Sequence, residues 1–181
     1  MRILLTNDDG YDAPGLEAIA RELRRLGPLT IVAPLGQQSA ISHAITLFRP
    51  LVVHRGSASS DPLSVAIEGT PVDCVKLAFA ELCPEPPELV VSGINHGANL
   101  GVNVFYSGTV GAALEAAISG VPGIALSLEY SATPDFKRAA RHVRDLVVEL
   151  ARDYAGRGIA FSVNIPAHPA LNTADMTTTP G

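Results

Sequence analysis

Short apolar runs and amphipathic stretches alternate along this chain. Ile3–Thr6 is apolar up to its last residue, as expected of a strand buried on both faces. From Pro14, a favoured first-turn residue, Leu16, Ile19, Ala20, Leu23 and Leu26 recur at helical spacing, and Gly27 stops the helix. Leu29–Ala33 reads as a second strand closed by Pro34. Leu51–His54 and Leu63–Ile67 read as short strands around Gly56–Pro62, a small antiparallel excursion. Thr70-Pro71 caps a helix with Val72, Val75, Phe79 and Leu82 on one side. Glu88–Ser92 is a further apolar run, as a central parallel strand requires. Gly93–Gly108 reads as a long loop rich in Gly and Asn, and loops of that length inside a domain usually carry function. Thr109–Ser119 is a helix of small residues ended by Gly120 and Pro122. Gly123–Leu128 is the next strand. Thr133-Pro134 caps a long helix with Phe136, Ala140, Val143, Val147 and Leu150 inward, and Ile159–Ile165 is the last strand.

This order implies an α/β fold, a mostly parallel sheet with helices on both faces. There is no internal repeat and no inner linker, so residues 1–166 read as one domain. Residues 167–181 carry Pro, Thr, Ala and Asn without periodicity and read as an irregular tail. With 181 residues, 47% of them hydrophobic, the chain can bury one substantial core. The net charge of -5 argues against a nucleic-acid polymer or an anionic membrane as partner. It also means that an anionic substrate must be drawn in by local features. No apolar run approaches the ~18 residues of a membrane span. Met1-Arg2 runs straight into a strand, so no signal peptide is expected. Cys74 lies in a helical pattern as a small buried thiol, and Cys74 and Cys83 show no zinc spacing. A soluble, cytoplasmic protein is expected.

The chemistry begins where the first strand ends, at Asn7-Asp8-Asp9-Gly10. Adjacent carboxylates repel and raise each other's pKa unless a cation lies between them. A hard divalent metal, which takes oxygen ligands, is the natural remedy. In open α/β sheets ligands bind outside the carboxyl ends of the strands, and that is where this pair falls. A helix cap or an Asx turn before Gly10 would account for Asp9 alone, not for both. Two other classes with strand-end carboxylates do not fit. A response-regulator receiver needs an Asp ending a later central strand, where this chain has Ser92-Gly93-Ile94-Asn95. A haloacid-dehalogenase nucleophile is written Asp-x-Asp, whereas Asp8 and Asp9 are adjacent.

Asn95, where the central strand gives way to the long loop, can offer a neutral amide oxygen to the same cation, or simply form a turn. Ser107-Gly108-Thr109 opens a helix, whose free N–H groups and dipole favour a phosphate. Asn7, at the strand tip, is a further phosphate-binding candidate. In the loop after the second strand, Ser39 can supply a hydroxyl oxygen. His43 could donate to a phosphate or move a proton, or be structural, and His96 beside Asn95 is open in the same way.

Taken together these residues resemble the SurE family of metal-dependent nucleotidases. The resemblance lies in Ile3–Gly10 with Ala13–Leu16, Ser39 in its loop, Gly69–Val75, Leu89–Asn95, Gly97–Gly101, Tyr106–Ala112 and Asn164–Pro166. It covers residues 1 to about 166. It implies a Rossmann-like three-layer sandwich and one divalent metal, magnesium or manganese, per subunit. It implies hydrolysis of nucleoside 5′- and 3′-monophosphates, with Asp8, Asp9, Ser39 and Asn95 as metal ligands. Ser107, Gly108 and Thr109 fall on the family's phosphate-binding segment, and Asp8, Asp9, Asn95 and Ser107 are the catalytic candidates. A homo-oligomer, dimer or tetramer, is implied as well. Two departures stand out. Gln37, Gln38, Ala40 and Ile41 surround Ser39 where many members carry Arg and Gly. The C-terminal region with which members exchange a hairpin and helix has no match in residues 167–181. The competing expectation is therefore a metal- and nucleotide-binding module that lost turnover with that region.

Overall fold

A computed structural model describes residues 1–55, 63–167 and 177–180. The turn expected at 56–62, and residues 168–176 and 181 of the tail, lie outside the described residues. The strands are β1 (Ile3–Thr6), β2 (Leu29–Pro34), β3 (Val53–Arg55), β4 (Ser64–Ile67), β5 (Leu89–His96), β6 (Gly123–Leu128), β7 (Ala160–Ile165) and β8 (Thr177–Pro180). They form one sheet in the order β3-β4-β2-β1-β5-β6-β7-β8. The pairs are parallel except β3 with β4 and β7 with β8. The expected α/β architecture and its antiparallel excursion are both present.

The helices are α1 (Pro14–Leu23), α2 (Pro71–Leu77), α3 (Gly108–Ile118) and α4 (Phe136–Asp153). Strand residues alternate between two layers of core. Ile3, Leu5, Leu89, Val91, Ile124 and Leu126 pack under α1 and α4, while Leu4, Val32, Val65 and Val90 pack under α2 and α3. This explains the unbroken apolar runs, since every position of a strand covered on both faces is inside. The step from β5 to β6 runs through α3 on one face, and the next step in the same direction runs through α4 on the other. The two crossovers therefore have opposite hands, an exception to the usual right-handed rule, and α4 comes to lie beside α1.

Several boundaries differ from the sequence reading. Helix α1 stops at Leu23, and Leu26 packs from the turn that follows. Thr70 does cap α2, in a reciprocal capping box with Asp73, but Ala78–Leu82, with Phe79 and Leu82, is a wider π turn. Thr133 does not cap α4. Asp135 does, its carboxylate accepting from Arg138 N–H at 2.9 Å. The loop expected from Gly93 is strand as far as His96. A bulge between Ser92 and Asn95 restores pairing, with Asn95 opposite Ser127 and His96 opposite Leu128. Gly93 has φ 130° and lies so close to Leu126 O that a Cβ would sit 2.3 Å from it. Gly101–Tyr106 forms a 3-10 turn within the same stretch. Thr177–Pro180, expected to be irregular, pairs with β7. β-branched threonines suit an edge strand, and the terminal Pro180 suits its end.

Among the described residues no helix is long and apolar enough to cross a membrane.

Candidate functional site

The sheet order reverses at β1, whose partners are β2 on one side and β5 on the other. Chain connections leave β1 and β5 in opposite directions, which opens a crevice at their carboxyl ends. β1 and β5 run in register from Ile3 opposite Leu89 to Thr6 opposite Ser92. Asp8 and Asp9 follow the tip of β1, and Asn95 stands in the bulged end of β5. Neighbouring strands thus deliver the carboxylates and the amide to one mouth.

Asp8, Ser39, Asn95 and Ser107 line one cleft of about 290 Å³ together with His96, Asn99, Asn103 and Tyr106. Asp8 is only 6% exposed. Its Oδ1 accepts from Thr109 Oγ1–H at 2.6 Å and its Oδ2 from Thr109 N–H at 3.1 Å. Gly108 makes that approach possible, because a Cβ there would stand 3.0 Å from Asp8 Cβ. Asp9 does not line the cleft. Its Oδ2 accepts from His96 N–H at 3.3 Å. Burial pushes both carboxyls above the ordinary carboxylate pKa. For Asp8 the Thr109 hydroxyl opposes that rise and the charge of Asp9 adds to it. For Asp9 the His96 N–H and the His96 ring oppose it.

The other candidates sit as follows. Asn7 is buried and braces the turn, its Nδ2 donating to Gly10 O at 2.8 Å, while its Oδ1 has no partner among the described residues. Asn95 Nδ2 donates to Gly97 O at 2.7 Å. Ser39 Oγ accepts from Gln37 Nε2 at 2.9 Å. Ser107 caps α3, its Oγ accepting from Val110 N–H at 3.2 Å. The hydroxyl hydrogen of Ser107 remains free to donate. His43 is not brought to the cleft. Its Nε2 lies 3.1 Å from Oε2 of the buried Glu115, whose Oε1 lies 3.2 Å from Lys76 Nζ. His96 does line the cleft, but its ring is engaged by neighbours outside the donor set. It stacks on Tyr130 at 4.9 Å between centroids, with Nε2 3.0 Å from Ser131 O.

Three lining residues, Asn99, Asn103 and Tyr106, carried no role in the sequence reading. Asn99 ties the cleft floor to two strand ends. Its N–H donates to Asn164 Oδ1 at 2.8 Å and its Nδ2 to Ser127 Oγ at 2.9 Å. The available signal was a polar Asn164 one residue before the end of a mostly apolar strand.

The donor set is carboxylate, amide and hydroxyl oxygen. Among the described residues no group of three or more His, Cys, Asp or Glu side chains comes together. Oxygen donors without thiolate or imidazole suit magnesium or manganese better than zinc. Asp8, Ser39 and Asn95 bring a carboxylate, a hydroxyl and an amide to one cleft, with the Asp9 carboxylate next to Asp8 in the chain, so the donor set fits such a cation.

A doubly wound α/β domain with oxygen donors and a helix N-terminus at its switch point is of the class whose switch point suits a phosphorylated small molecule. Comparison with known sequences narrows this. The chain belongs to the SurE family, whose profile, described as Survival protein SurE, matches residues 3–180. The match runs past residue 166, where the resemblance was expected to end, and takes in β8. A 5′-nucleotidase SurE of Rhodopirellula baltica is 47% identical over 99% of this chain and 72% of its own length. One from Syntrophus aciditrophicus is 48% identical over 93% of this chain and 64% of its own length. The crystal structure of the SurE protein from Aquifex aeolicus superposes with a TM-score of 0.84 at 37% identity, over 93% of this chain and 67% of that one. The chain thus spans about two thirds of the length of the relatives it matches.

Proposed function

We propose that this chain is a phosphomonoesterase that hydrolyses nucleoside 5′- and 3′-monophosphates to nucleoside and phosphate with the help of a divalent cation. The observation that supports it is the cleft at the end of β1 and β5, where a buried carboxylate meets an amide, a hydroxyl and the start of α3. The relatives' name, 5′-nucleotidase, points the same way. No feature of the cleft favours retention of nucleotide without turnover.

In this reading Asp8, Ser39 and Asn95 from the cleft, with Asp9 from the same turn after β1, would hold one magnesium or manganese ion per subunit. When bound, such an ion offsets charge on the phosphoryl oxygens and lowers the pKa of nearby water. The chain's own residues do the rest. Thr109 fixes the Asp8 carboxylate with two bonds, leaving lone pairs on both oxygens for further partners. Ser107 donates its hydroxyl proton to a phosphoryl oxygen. Gly108 N–H, without a partner among the described residues, offers a backbone donor from the first turn of α3. These donors stabilise the charge that develops on the equatorial oxygens. Asn7 braces the turn that carries the carboxylates, and His43 seats the Ser39 loop against Glu115. Both cysteines are free thiols, which suits a reducing cytoplasm.

The test is phosphate release from AMP with manganese, comparing wild type with Asp8→Asn. An amide in place of this carboxylate removes charge from the cation site and turns one of the two oxygens facing Thr109 into a donor. Turnover should fall by on the order of 10²–10³ or more, the usual cost of one lost electrostatic contact. Unchanged turnover in Asp8→Asn would contradict the assignment.

A further inference from the structure

The 3-10 turn Gly101–Tyr106 lies immediately before the α3 start and buries none of its residues. Three of its large apolar side chains are open to solvent: Val102, Phe105 at 75% and Tyr106 at 62% exposed. The turn does not depend on those side chains for its place. Ser42 N–H donates to Tyr106 O at 2.9 Å, Ser42 Oγ–H donates to Phe105 O at 2.6 Å, and Asn103 N–H donates to Leu100 O at 3.1 Å. A backbone held this way presents its side chains without spending them on the core. Of these residues Tyr106 also lines the cleft, between Asn103 and the helix-capping Ser107. An aromatic face therefore stands next to the donors assigned to the phosphate. The chain has no Trp and only 4 Tyr and 5 Phe, so an aromatic ring left open at the cleft rim is a scarce resource placed where a ligand passes.

We propose that Tyr106 is the base platform of this site, its ring stacking on the nucleobase of the nucleotide whose phosphate meets Ser107 and Gly108. The proposal rests on the nucleotidase reading above and deepens it by assigning the other end of the substrate. A phosphate subsite of oxygen and N–H donors treats all phosphomonoesters alike. Preference for nucleotides over sugar phosphates needs a flat apolar surface, and stacking on an aromatic ring is worth roughly 5- to 150-fold in affinity. Every base has a π face, so this platform selects nucleotides as a class and discriminates weakly among bases.

The test is equilibrium dialysis on ice in EDTA, so that binding is read apart from turnover. The probes are AMP and ribose 5-phosphate, and the proteins are wild type, Tyr106→Phe and Tyr106→Ala, each confirmed folded by its melting temperature. Wild type should retain AMP about ten-fold more tightly than ribose 5-phosphate, within the range stacking supplies. Tyr106→Phe should keep that preference. Tyr106→Ala should lose about ten-fold in AMP affinity and leave ribose 5-phosphate unchanged. Equal losses for both probes, no loss for either, or no AMP retained by wild type would each overturn the proposal. Phosphate release from AMP by wild type in manganese is read separately. Its absence would overturn the hydrolytic reading, while the dialysis result would still decide the platform.

Discussion

Asp8 and Asp9 are costly residues for the fold that holds them. Burial raises both carboxyls, and for Asp8 the neighbouring charge adds to the rise. An acid whose folded pKa lies above its unfolded value carries a destabilising penalty that is complete once pH exceeds the folded value. The penalty is relieved as pH falls through the folded value and is gone below the unfolded one. At neutral pH without metal the pair therefore works against stability, and a bound cation reverses this. Asp9→Asn can keep the His96 bond through its amide oxygen, so its melting temperature in EDTA should equal or exceed that of wild type. Manganese at about 100 times its Kd should raise the wild-type melting temperature by roughly 5–10 °C, given ~2.7 kcal/mol of linkage and ~2–4 °C per kcal/mol at this size. Asp9→Asn should gain almost none of that. A lower melting temperature for the variant in EDTA, or an equal gain with manganese, would contradict the role given to Asp9. The pair was legible in the sequence because adjacent charges are a local fact. The two-bond clamp from Thr109 was not, since it joins residues 101 positions apart.

At the scale of elements, the segment from Ser39 to Thr46 is a strap across α2, α3 and the 3-10 turn. Ser42 bonds the turn, His43 faces Glu115 of α3, and Thr70 Oγ1–H donates to Ala44 O at 2.7 Å. Thr46 donates to both oxygens of Asp73, from N–H at 2.9 Å and from Oγ1 at 2.6 Å. Burial pulls the Asp73 carboxyl upward, but the bonds from Thr46 and Thr70 outweigh it and hold it below the usual range. Such a group contributes stability that is fully present above its unfolded pKa, near 3.8, and lost as pH falls through the lower folded value. Asp73→Asn replaces an acceptor with a donor in this network. It should cost about 1–3 kcal/mol at pH 7 and flatten the loss of stability below pH 4, measured by urea denaturation from pH 6 to pH 3. An unchanged acid profile would remove Asp73 as the anchor of the strap. The Thr70-Pro71 start of α2 was readable because capping is local. The end of β5 was not, because Gly93 reads as a breaker and only its partner β6 restores the pairing after the bulge. The cap of α4 was misplaced for a related reason. Thr133 and Asp135 are both acceptable caps, and the packing of Phe136 into the core and against His96 selects the second.

For the whole molecule, alternating periodicities were enough to give the α/β class and the mostly parallel sheet. The strand order was not, nor were the opposite hands of the α3 and α4 crossovers, which depend on which face each helix covers. The order is what matters for function, since it sets β1 beside β5 and makes one mouth of residues far apart in sequence. The most direct test of the account is phosphate release from a panel of nucleoside monophosphates by the unaltered chain, with EDTA, magnesium and manganese in parallel. The account predicts release with manganese or magnesium and none with EDTA. No release with any metal, from protein that still binds manganese, would contradict it.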